Sequence, residues 1–517
     1  MDSLLRPTTP RRVPLLSLTD GLGLRGDTSA TADVTGITQD SRSVRPGWLY
    51  VGLPGTRMHG ASFAEQAAAA GAAAILTDPE GEALAREAGI PVLVAADVRH
   101  AMAVVAARTF GDPAESMTML GVTGTNGKTT TVALLQAGLA RAGQLAGTIG
   151  TIGFRLGVDE IRSSRSTVTT PESPDLQALL AVMAERGADA VALEVSSHAL
   201  ALSRADGIVF DAVGFLNLGR DHLDFHHSME EYFEAKARLF EPGRARVSVI
   251  WVDDPRGAEL ADRVRAHGAS RLVTVGSGGD VDYLLSGYRD LPALAGAATI
   301  TRGGEQIELR LSLPGRYNMI DAAVALAMLE AVGVPTATAV EGLGAAQVPG
   351  RMQRVDLGDG APLVVVDFAH TPQAVGAAVE SLAVEGDVIT VIGCGGDRDA
   401  AKRPEMGAAA ARGSVLTIIT DDNPRTEDPT VIRAQTLDGA RAVPGAHVLE
   451  VPGRRAAIAE ALRRARPGSV VAILGKGHER GQILADATVD FDDVEEAAEQ
   501  WRRLGEEGTP HACDNRG

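Results

Sequence analysis

One short loop carries the residues best suited to phosphate chemistry. It reads Gly124-Thr125-Asn126-Gly127-Lys128-Thr129-Thr130, and it lies between an alternating apolar stretch, 117–122, and an apolar-periodic stretch that reaches Arg141. Glycines let backbone N–H groups approach an anion, a lysine ammonium contacts the outer phosphates, and a threonine hydroxyl can ligate Mg²⁺. A strand, a glycine loop and a helix in this order predict a nucleoside triphosphate site, with Lys128 and Thr129 in the last two roles.

The loop departs by one residue from the common pattern G-x-x-x-x-G-K-[ST]. Val122 stands where the first glycine belongs, and Gly121 lies one position early. The alternative is a chance glycine turn, which the flanking strand and helix argue against. The departure therefore indicates a particular relative of the ordinary P-loop nucleotide hydrolases.

Further polar clusters follow apolar stretches that have the length of buried strands. In open parallel sheets, ligands sit beyond the carboxyl ends of the strands, so these clusters are the next candidates for a site. They are Glu194-Val195-Ser196-Ser197-His198, the segment 217–227, Asp367-Phe368-Ala369-His370-Thr371-Pro372, the segment 393–404, Asp422-Asn423-Pro424-Arg425 and Gly475-Lys476-Gly477-His478-Glu479.

Each cluster taken alone also has a simpler interpretation. The carboxylate of Glu194 suits Mg²⁺, but Ser196 or the serine after it could equally cap a helix. Three histidines in the segment 217–227 suggest a metal site, although zinc would require a more closed ligand set. The segment 422–425 could be an ordinary Asn-Pro turn.

The alternation of predicted strands and helices around these clusters indicates an α/β protein. A chain of 517 residues is too long for a single hydrophobic core, which predicts about three domains. We expect an N-terminal domain over 1–113, a central P-loop-type parallel-sheet domain over 114–346, and a C-terminal Rossmann-like α/β domain over 347–517. The strands predicted in them are 48–53, 73–76 and 91–94, then 117–122, 190–195, 212–218 and 247–252, then 363–367, 388–392, 415–420 and 470–474, with further strands across 283–313.

Composition excludes several classes of protein. A formal net charge of −18 argues against non-specific nucleic-acid binding, which needs clustered cations. Two cysteines provide neither a disulfide framework nor a zinc cluster. The longest apolar run, 67–76, is much shorter than the roughly 18 residues that a transmembrane helix needs. We therefore expect a cytoplasmic protein without a transmembrane segment, and a monomer.

Taken together, the clusters resemble the Mur ligase family of peptidoglycan synthesis. They occur in the family's order from about Ile37 to Glu479, which is more specific than any single motif. The resemblance implies an N-terminal domain that binds the UDP-linked substrate, a central ATPase domain and a C-terminal domain that binds the incoming amino acid. It also implies ATP and Mg²⁺ as cofactors.

The resemblance implies roles for individual residues. Lys128, His222, Arg351 and Lys236 would be catalytic, with Lys236 carbamylated. Mg²⁺ would be held by Thr129, Glu194, His222 and the Lys236 carbamate. ATP would contact the loop residues Gly124, Thr125, Asn126, Gly127, Lys128, Thr129 and Thr130, together with Asn318, Arg351, Asp367 and His370.

Two further residue sets follow from the same resemblance. Ser41, Thr169, Thr170, Ser196 and Arg204 would contact UDP-MurNAc-L-Ala-D-Glu. In this family the tetrapeptide 422–425 accompanies meso-diaminopimelate, whose distal carboxylate an arginine fork matches bidentately. The amino-acid site would comprise Arg398, Asp422, Asn423, Pro424, Arg425, Gly475 and Glu479.

The implied activity is ATP-dependent addition of meso-2,6-diaminopimelate to the γ-carboxylate of D-Glu. That carboxylate would attack the ATP γ-phosphate to give an acyl phosphate, which the amine then attacks. Phosphoryl transfer of this kind depends on positioning and charge neutralisation. The competing hypotheses are a lysine-adding relative, folylpolyglutamate synthase, and a nucleotide-binding scaffold that has lost catalysis.

Overall fold

The computed structural model describes residues 5–161, 168–292, 294–358 and 360–506. The chain divides into two compact units. The first comprises Met1–Ser286, Thr299–Leu309 and Ile320–Ala345, and the second comprises Gly287–Ala298, Arg310–Met319 and Ala346–Gly517. Within the described ranges, none of the helices has the length and apolar character needed to cross a membrane.

The first unit begins with a five-stranded sheet in the order β2-β7-β6-β5-β4, in which β4 to β7 run parallel. Strand β5 is buried along its whole length, as its apolar sequence predicts. The elements are β1 (Val13–Pro14), α1 (Leu15–Thr19), β2 (Arg25–Gly26), β3 (Asp33–Val34), β4 (Gly36–Thr38), β5 (Trp48–Gly52), α2 (Ala64–Ala69), β6 (Ala74–Thr77), α3 (Glu82–Arg86), β7 (Val92–Val94) and α4 (Val98–Thr109).

A larger sheet follows, with parallel strands in the order β9-β12-β8-β13-β14-β15. Because β8 lies between β12 and β13, the turns after these three strands share one edge of the sheet. The elements are β8 (Thr118–Thr123), α5 (Lys128–Arg141), β9 (Ala146–Gly150), β10 (Gly153–Leu156), β11 (Asp159–Glu160), α6 (Ser173–Glu185), β12 (Ala190–Glu194), α7 (Ser197–Ala201), β13 (Phe210–Phe215), α8 (Leu223–His226), α9 (Met229–Ala237), β14 (Ala245–Trp251), α10 (Pro255–His267) and β15 (Arg271–Gly276).

The segment predicted as strands across 283–313 forms three of them, which continue this sheet beyond β15. Their residues divide between the two units. The elements are β16 (Tyr283–Leu291), β17 (Ala295–Arg302), β18 (Glu305–Leu311), α11 (Arg316–Ala331) and α12 (Thr336–Ala345).

The second unit contains a six-stranded sheet in the order β19-β20-β24-β21-β22-β23, parallel except for β19. Its four long strands lie where the sequence predicts them. The elements are β19 (Gln353–Val355), β20 (Leu363–Asp367), α13 (Pro372–Ala383), β21 (Asp387–Ile392), α14 (Lys402–Arg412), β22 (Leu416–Ile419), α15 (Pro429–Arg441), β23 (Val448–Glu450), α16 (Arg454–Arg464), β24 (Ser469–Leu474), β25 (Gln482–Ile483), β26 (Thr488–Val489) and α17 (Asp493–Glu506).

A buried ion pair joins the last two long helices of the second unit. Arg454 of α16 donates from Nε and a terminal nitrogen to the two carboxylate oxygens of Asp493 in α17, both at 2.7 Å. The side chains of both residues are fully buried. Arg454 also donates to the carbonyl of Leu474 at 3.0 Å, at the end of β24. The pair therefore fixes α17 against the strand end that precedes the turn at Gly475.

We expect Asp493→Ala to lower the free energy of unfolding by about 3–5 kcal/mol, because it leaves the Arg454 guanidinium buried without a counter-charge. Urea denaturation measures this loss. Arg455→Met, which removes a more exposed ion pair to Glu496 between the same two helices, is the matched control and should cost at most about 1 kcal/mol. Equal midpoints for Asp493→Ala and wild type would contradict the assignment.

Candidate active site

The phosphate loop follows the carboxyl end of β8, and helix α5 begins within the loop at Lys128. Gly127 has a φ of +88°, and a side chain there would overlap the carboxylate of Asp321. The backbone N–H of Asn126 donates to Asn217 Oδ1 at 2.9 Å, and Asn217 Nδ2 donates back to the carbonyl of Asn126 at 3.2 Å. A left-handed glycine and the turn after β13 thus fix the conformation of the loop at the helix N-terminus, where backbone N–H groups favour an anion.

Two lysines meet at one carbonyl oxygen of this loop. Lys128 Nζ donates to the carbonyls of Gly124 at 2.8 Å and Thr125 at 2.9 Å. Lys236 Nζ, from α9, also donates to the carbonyl of Gly124 at 2.8 Å and lies 4.5 Å from the centre of the Tyr232 ring. Burial, reinforced by the charge of Lys128, lowers the pKa of Lys236 well below its usual value, and Asp221 opposes the shift. Lys236 is therefore far more readily uncharged than an exposed lysine.

Glu194 ends β12 with its side chain buried at the same edge of the sheet. Its carboxylate accepts the N–H of Thr151 at 2.9 Å and the hydroxyl of Thr151 at 3.0 Å. Its carbonyl accepts the hydroxyl of Thr170 at 2.7 Å. Ser196 Oγ accepts the N–H of Ala199 at 3.2 Å and caps α7, as the simpler interpretation predicts.

Four residues predicted to contact the UDP-linked dipeptide lie together beside Glu194. The Thr169 and Thr151 hydroxyls are 3.2 Å apart, and the N–H of Ser196 donates to Thr170 Oγ1 at 3.1 Å. Arg204 donates to the carbonyl of Thr170 at 3.0 Å. The fifth, Ser41, lies in the region of the five-stranded sheet, and its hydroxyl donates to Gln66 Oε1 at 3.1 Å.

The histidines of the segment 217–227 pack around His198. The ring centroids of His198 and His222 are 4.8 Å apart, and those of His198 and His226 are 5.5 Å apart. His226 Nε2 lies 2.9 Å from Ser197 Oγ, and burial lowers the pKa of His226 to about 4, with His198, His222 and Lys236 adding to the shift. Among the residues that the structure describes, no three His, Cys, Asp or Glu side chains form a metal-binding group.

The remaining residues predicted to contact ATP belong to the second unit. Asp367, at the end of β20, accepts the N–H groups of Met352 at 2.7 Å and Ala369 at 2.8 Å. Burial raises the pKa of Asp367, and the charge of Arg351 and the two N–H donors oppose that shift. The Arg351 guanidinium lies 4.5 Å from the centre of the Phe368 ring.

Two further residues of this set have local partners in the same unit. Nδ1 of His370 lies 3.0 Å from the carbonyl of Phe368. Asn318, buried near the start of α11, donates from Nδ2 to the carbonyl of Pro314 at 2.7 Å.

The predicted amino-acid residues gather at the carboxyl ends of β21, β22 and β24. Asn423 Nδ2 donates to Glu479 Oε2 at 2.7 Å. Arg425 has a φ of +53°, and its side chain donates to the carbonyl of Gly396 at 2.7 Å. Gly475 donates its N–H to the carbonyl of Asp367 at 3.0 Å. Pro424 packs against Gly396, Asp422 is buried, and Arg398 donates to the carbonyl of Asp397 at 3.1 Å.

Sequence reasoning missed several residues of these clusters. Tyr232 contacts Lys236 through its ring, and its hydroxyl lies 3.2 Å from Thr125 Oγ1; burial raises the pKa of Tyr232 to about 12. The four-residue spacing of Tyr232 and Lys236 on one helix could have indicated that contact. Asp321 and Thr151 carried no comparable signal, because each contacts the site from a segment distant in sequence.

Three family models match the chain. The Mur ligase family, catalytic domain, matches residues 33–110; the Mur ligase middle domain matches 122–329; and the Mur ligase, glutamate ligase domain, matches 350–477. A structure of UDP-N-acetylmuramoyl-L-alanyl-D-glutamate–2,6-diaminopimelate ligase superimposes with a TM-score of 0.71 at 30% identity, covering 96% of this chain and all of that one. MurF ligase from Thermotoga maritima in complex with ADP shares the fold, with a TM-score of 0.58 at 19% identity over 91% of this chain and 98% of that one.

Curated relatives match over nearly their whole length. UDP-N-acetylmuramoyl-L-alanyl-D-glutamate–2,6-diaminopimelate ligase of Streptomyces coelicolor is 46% identical over 94% of this chain and 96% of its own. UDP-N-acetylmuramyl-tripeptide synthetase of Leifsonia xyli is 42% identical over 97% of this chain and 98% of its own. The glycine loop with its two converging lysines, the buried carboxylate beside it and these matches lead to one conclusion: the chain belongs to the Mur ligase family.

Proposed function

We propose that this protein is an ATP-dependent ligase that joins meso-2,6-diaminopimelate to the D-Glu γ-carboxylate of UDP-MurNAc-L-Ala-D-Glu in peptidoglycan synthesis. The observation that carries the proposal is the meeting of Lys128 and Lys236 at the carbonyl of Gly124, beside the residues assigned to the dipeptide. A phosphate loop next to a carboxylate-binding cluster suits phosphorylation of a carboxylate. Relatives named for this reaction, at 46% and 45% identity, support the same activity.

The reaction must first activate a carboxylate, because amide formation in water is uphill. The γ-carboxylate oxygen attacks the ATP γ-phosphorus, the bond to the β-phosphate oxygen breaks, and ADP leaves. The diaminopimelate amine then attacks the acyl phosphate, loses a proton and expels phosphate. Lys128 and the N–H groups at the start of α5 neutralise the charge that develops on the phosphates. Arg351 is proposed as a further cation for the phosphates.

Lys236 is proposed to carry a carbamate. Forming one requires an uncharged amine that attacks CO₂, and the lowered pKa of the buried Lys236 supports this state. The modification replaces a cation close to Lys128 with an anion, which removes the repulsion between the two ammonium groups.

Mg²⁺ is proposed at the same edge of the sheet. The Lys236 carbamate, the carboxylate of Glu194, His222 and the hydroxyl of Thr129 would hold it together with the ATP phosphates. Oxygen donors and substrate phosphates are the ligands that Mg²⁺ prefers, and the ion would neutralise phosphate charge.

The choice of amino acid rests on the cluster around Arg425 and Asn423. A guanidinium that projects from a left-handed backbone position, next to a glycine turn, suits the distal carboxylate of diaminopimelate. Lysine lacks that carboxylate. Glu479, bonded to Asn423, would accept an ammonium group.

We also propose three functional domains, 1–113, 114–346 and 347–517, for the UDP-linked substrate, ATP and the amino acid. The separate family matches over 33–110, 122–329 and 350–477 support these divisions. We propose a monomer that works in the cytoplasm, where its nucleotide-linked substrate and ATP are available.

Purified protein given ATP and UDP-MurNAc-L-Ala-D-Glu should release phosphate with meso-diaminopimelate and far less with lysine. Arg425→Ala should lower kcat/KM for diaminopimelate by about 10- to 100-fold, because a hydrogen-bonded charged partner is worth roughly 1.5–3 kcal/mol. The kcat/KM of the Arg425→Ala variant for lysine should differ little from that of the wild-type enzyme. Preference of the wild-type enzyme for lysine would refute the assignment of the amino acid.

¹³C NMR in ¹³C-bicarbonate tests the modification of Lys236. We expect a carbamate resonance near neutral pH, where an ordinary lysine is protonated and unreactive. Lys236→Arg, which keeps the charge and cannot form this carbamate, should lose the resonance and most of the activity. Lys128→Arg serves as the matched control: it should lower activity while the resonance remains. Full activity in Lys236→Arg would rule the carbamate out as a requirement.

A further inference from the structure

Lysine is rare in this chain, and its positions are informative. The sequence contains four lysines against 45 arginines: Lys128, Lys236, Lys402 and Lys476. Where a cation serves only solubility or an exposed ion pair, this chain uses arginine. Lys128 and Lys236 meet at the phosphate loop and Lys402 starts α14, whereas Lys476 has no role in the proposed function.

Lys476 lies in the turn after β24, and its side chain is fully buried. Its Nζ donates to the carbonyl of Gly481 at 2.5 Å, to Asn423 Oδ1 at 3.1 Å and to Glu479 Oε2 at 3.4 Å. These three acceptors match the three donors of an ammonium group. A further carboxylate, that of Asp422, lies 3.7 Å away.

The backbone around Lys476 is built to turn this side chain inward. Gly475 and Gly477 flank it with φ values of +113° and +54°. A side chain at Gly477 would lie 2.7 Å from both the carbonyl oxygen of Gly350 and Phe368 Cβ. The glycines therefore allow a close-packed turn whose one large side chain points into the protein.

The contacts of Lys476 determine how Asn423 is oriented. Asn423 Oδ1 accepts from Lys476 and from the N–H of Ile483 at 2.9 Å, so the amide nitrogen must face the other way. That nitrogen donates to Glu479 Oε2 at 2.7 Å. Both bonds to Glu479 fall on Oε2, and Oε1 receives neither of them. Glu479 is thus held by one oxygen and presents the other.

We propose that Lys476 is the positioning residue of the amino-acid site, which fixes the Asn423 amide and directs Glu479 Oε1 toward an ammonium group of the incoming amino acid. The inference rests on the proposed function of Asn423 and Glu479 as ligands for diaminopimelate. Lys476 itself touches no substrate in this arrangement, since it is fully buried behind them.

An arginine cannot replace Lys476 in this role. A guanidinium is planar and directs its five donors in a fixed fork, whereas the acceptors on Gly481, Asn423 and Glu479 surround a single nitrogen. Lysine to arginine is therefore not a conservative change at this position.

Steady-state kinetics of Lys476→Met test the proposal. We expect KM for diaminopimelate to rise at least tenfold, while KM for ATP and for UDP-MurNAc-L-Ala-D-Glu stays within about threefold. Lys476→Arg should show the same selective rise, and it also carries the test if Lys476→Met does not fold. Calorimetric titration with diaminopimelate should show the same weakening of binding without turnover.

A double-mutant cycle with Glu479→Gln separates positioning from general destabilisation. If Lys476 acts through Glu479, the two substitutions remove the same interaction. The double variant should then bind diaminopimelate with the same affinity as whichever single variant binds it less tightly. Independent, multiplying effects would overturn the proposal, and so would an unchanged KM for diaminopimelate or full activity in Lys476→Arg. A wild-type enzyme that ignores diaminopimelate would instead refute the proposed function.

Arg433→Met is the matched control, because Arg433 is another buried cation of the second unit. It pairs with Asp421 and with Glu450 and lies outside the proposed ligand set. We expect it to lower Tm while KM for diaminopimelate stays within about twofold. If Arg433→Met raised the KM for diaminopimelate as much as Lys476→Met does, the rise would reflect general loss of structure, and the proposal would be refuted.

Discussion

The repulsion between two lysine side chains, Lys128 and Lys236, is the main electrostatic constraint on the site of the first unit. Both side chains donate to the carbonyl of Gly124. Like charges this close in a buried site repel strongly, since the effective dielectric constant there is lower than in water. The repulsion and burial together lower the pKa of Lys236, which makes its amine reactive. An anion relieves the remaining charge, and both a triphosphate and a carbamate are anions. The same arrangement that is unfavourable without ligand therefore favours the chemistry that we propose.

The order of the strands brings further polar residues next to these two lysines. Because β8 lies between β12 and β13, the phosphate loop has Glu194 on one side and the Asn217 turn on the other. Parallel strands place their carboxyl ends at one edge, and the turns there are free to carry polar residues. The six-stranded sheet of the second unit repeats the principle with β21, β22 and β24, whose turns carry Gly396, Arg425 and Lys476.

The sequence predicts most of the long strands of the two larger sheets because each is a short apolar run bounded by a turn, but it misses β15, Arg271–Gly276. It does not predict β9, Ala146–Gly150, which contains two glycines in five residues and forms a strand because β12 and β10 pair with it on either side. Burial of single charged side chains is likewise invisible. Lys236 on an isolated helix would be solvated, whereas in the folded chain it is buried and donates to the Gly124 carbonyl, which lies far away in sequence.

Two glycine turns of the chain place a lysine in different settings. At 124–130, left-handed Gly127 precedes Lys128 at the start of a helix, and the Lys128 ammonium donates to the carbonyls of Gly124 and Thr125. At 475–477, two left-handed glycines close the turn so that Lys476 faces inward and binds only protein oxygens. In our proposals, Lys128 contacts ATP, whereas Lys476 orients the residues that contact the amino acid. Spacing of glycine and lysine alone cannot distinguish these roles, because the direction of the side chain depends on which segments pack against the turn.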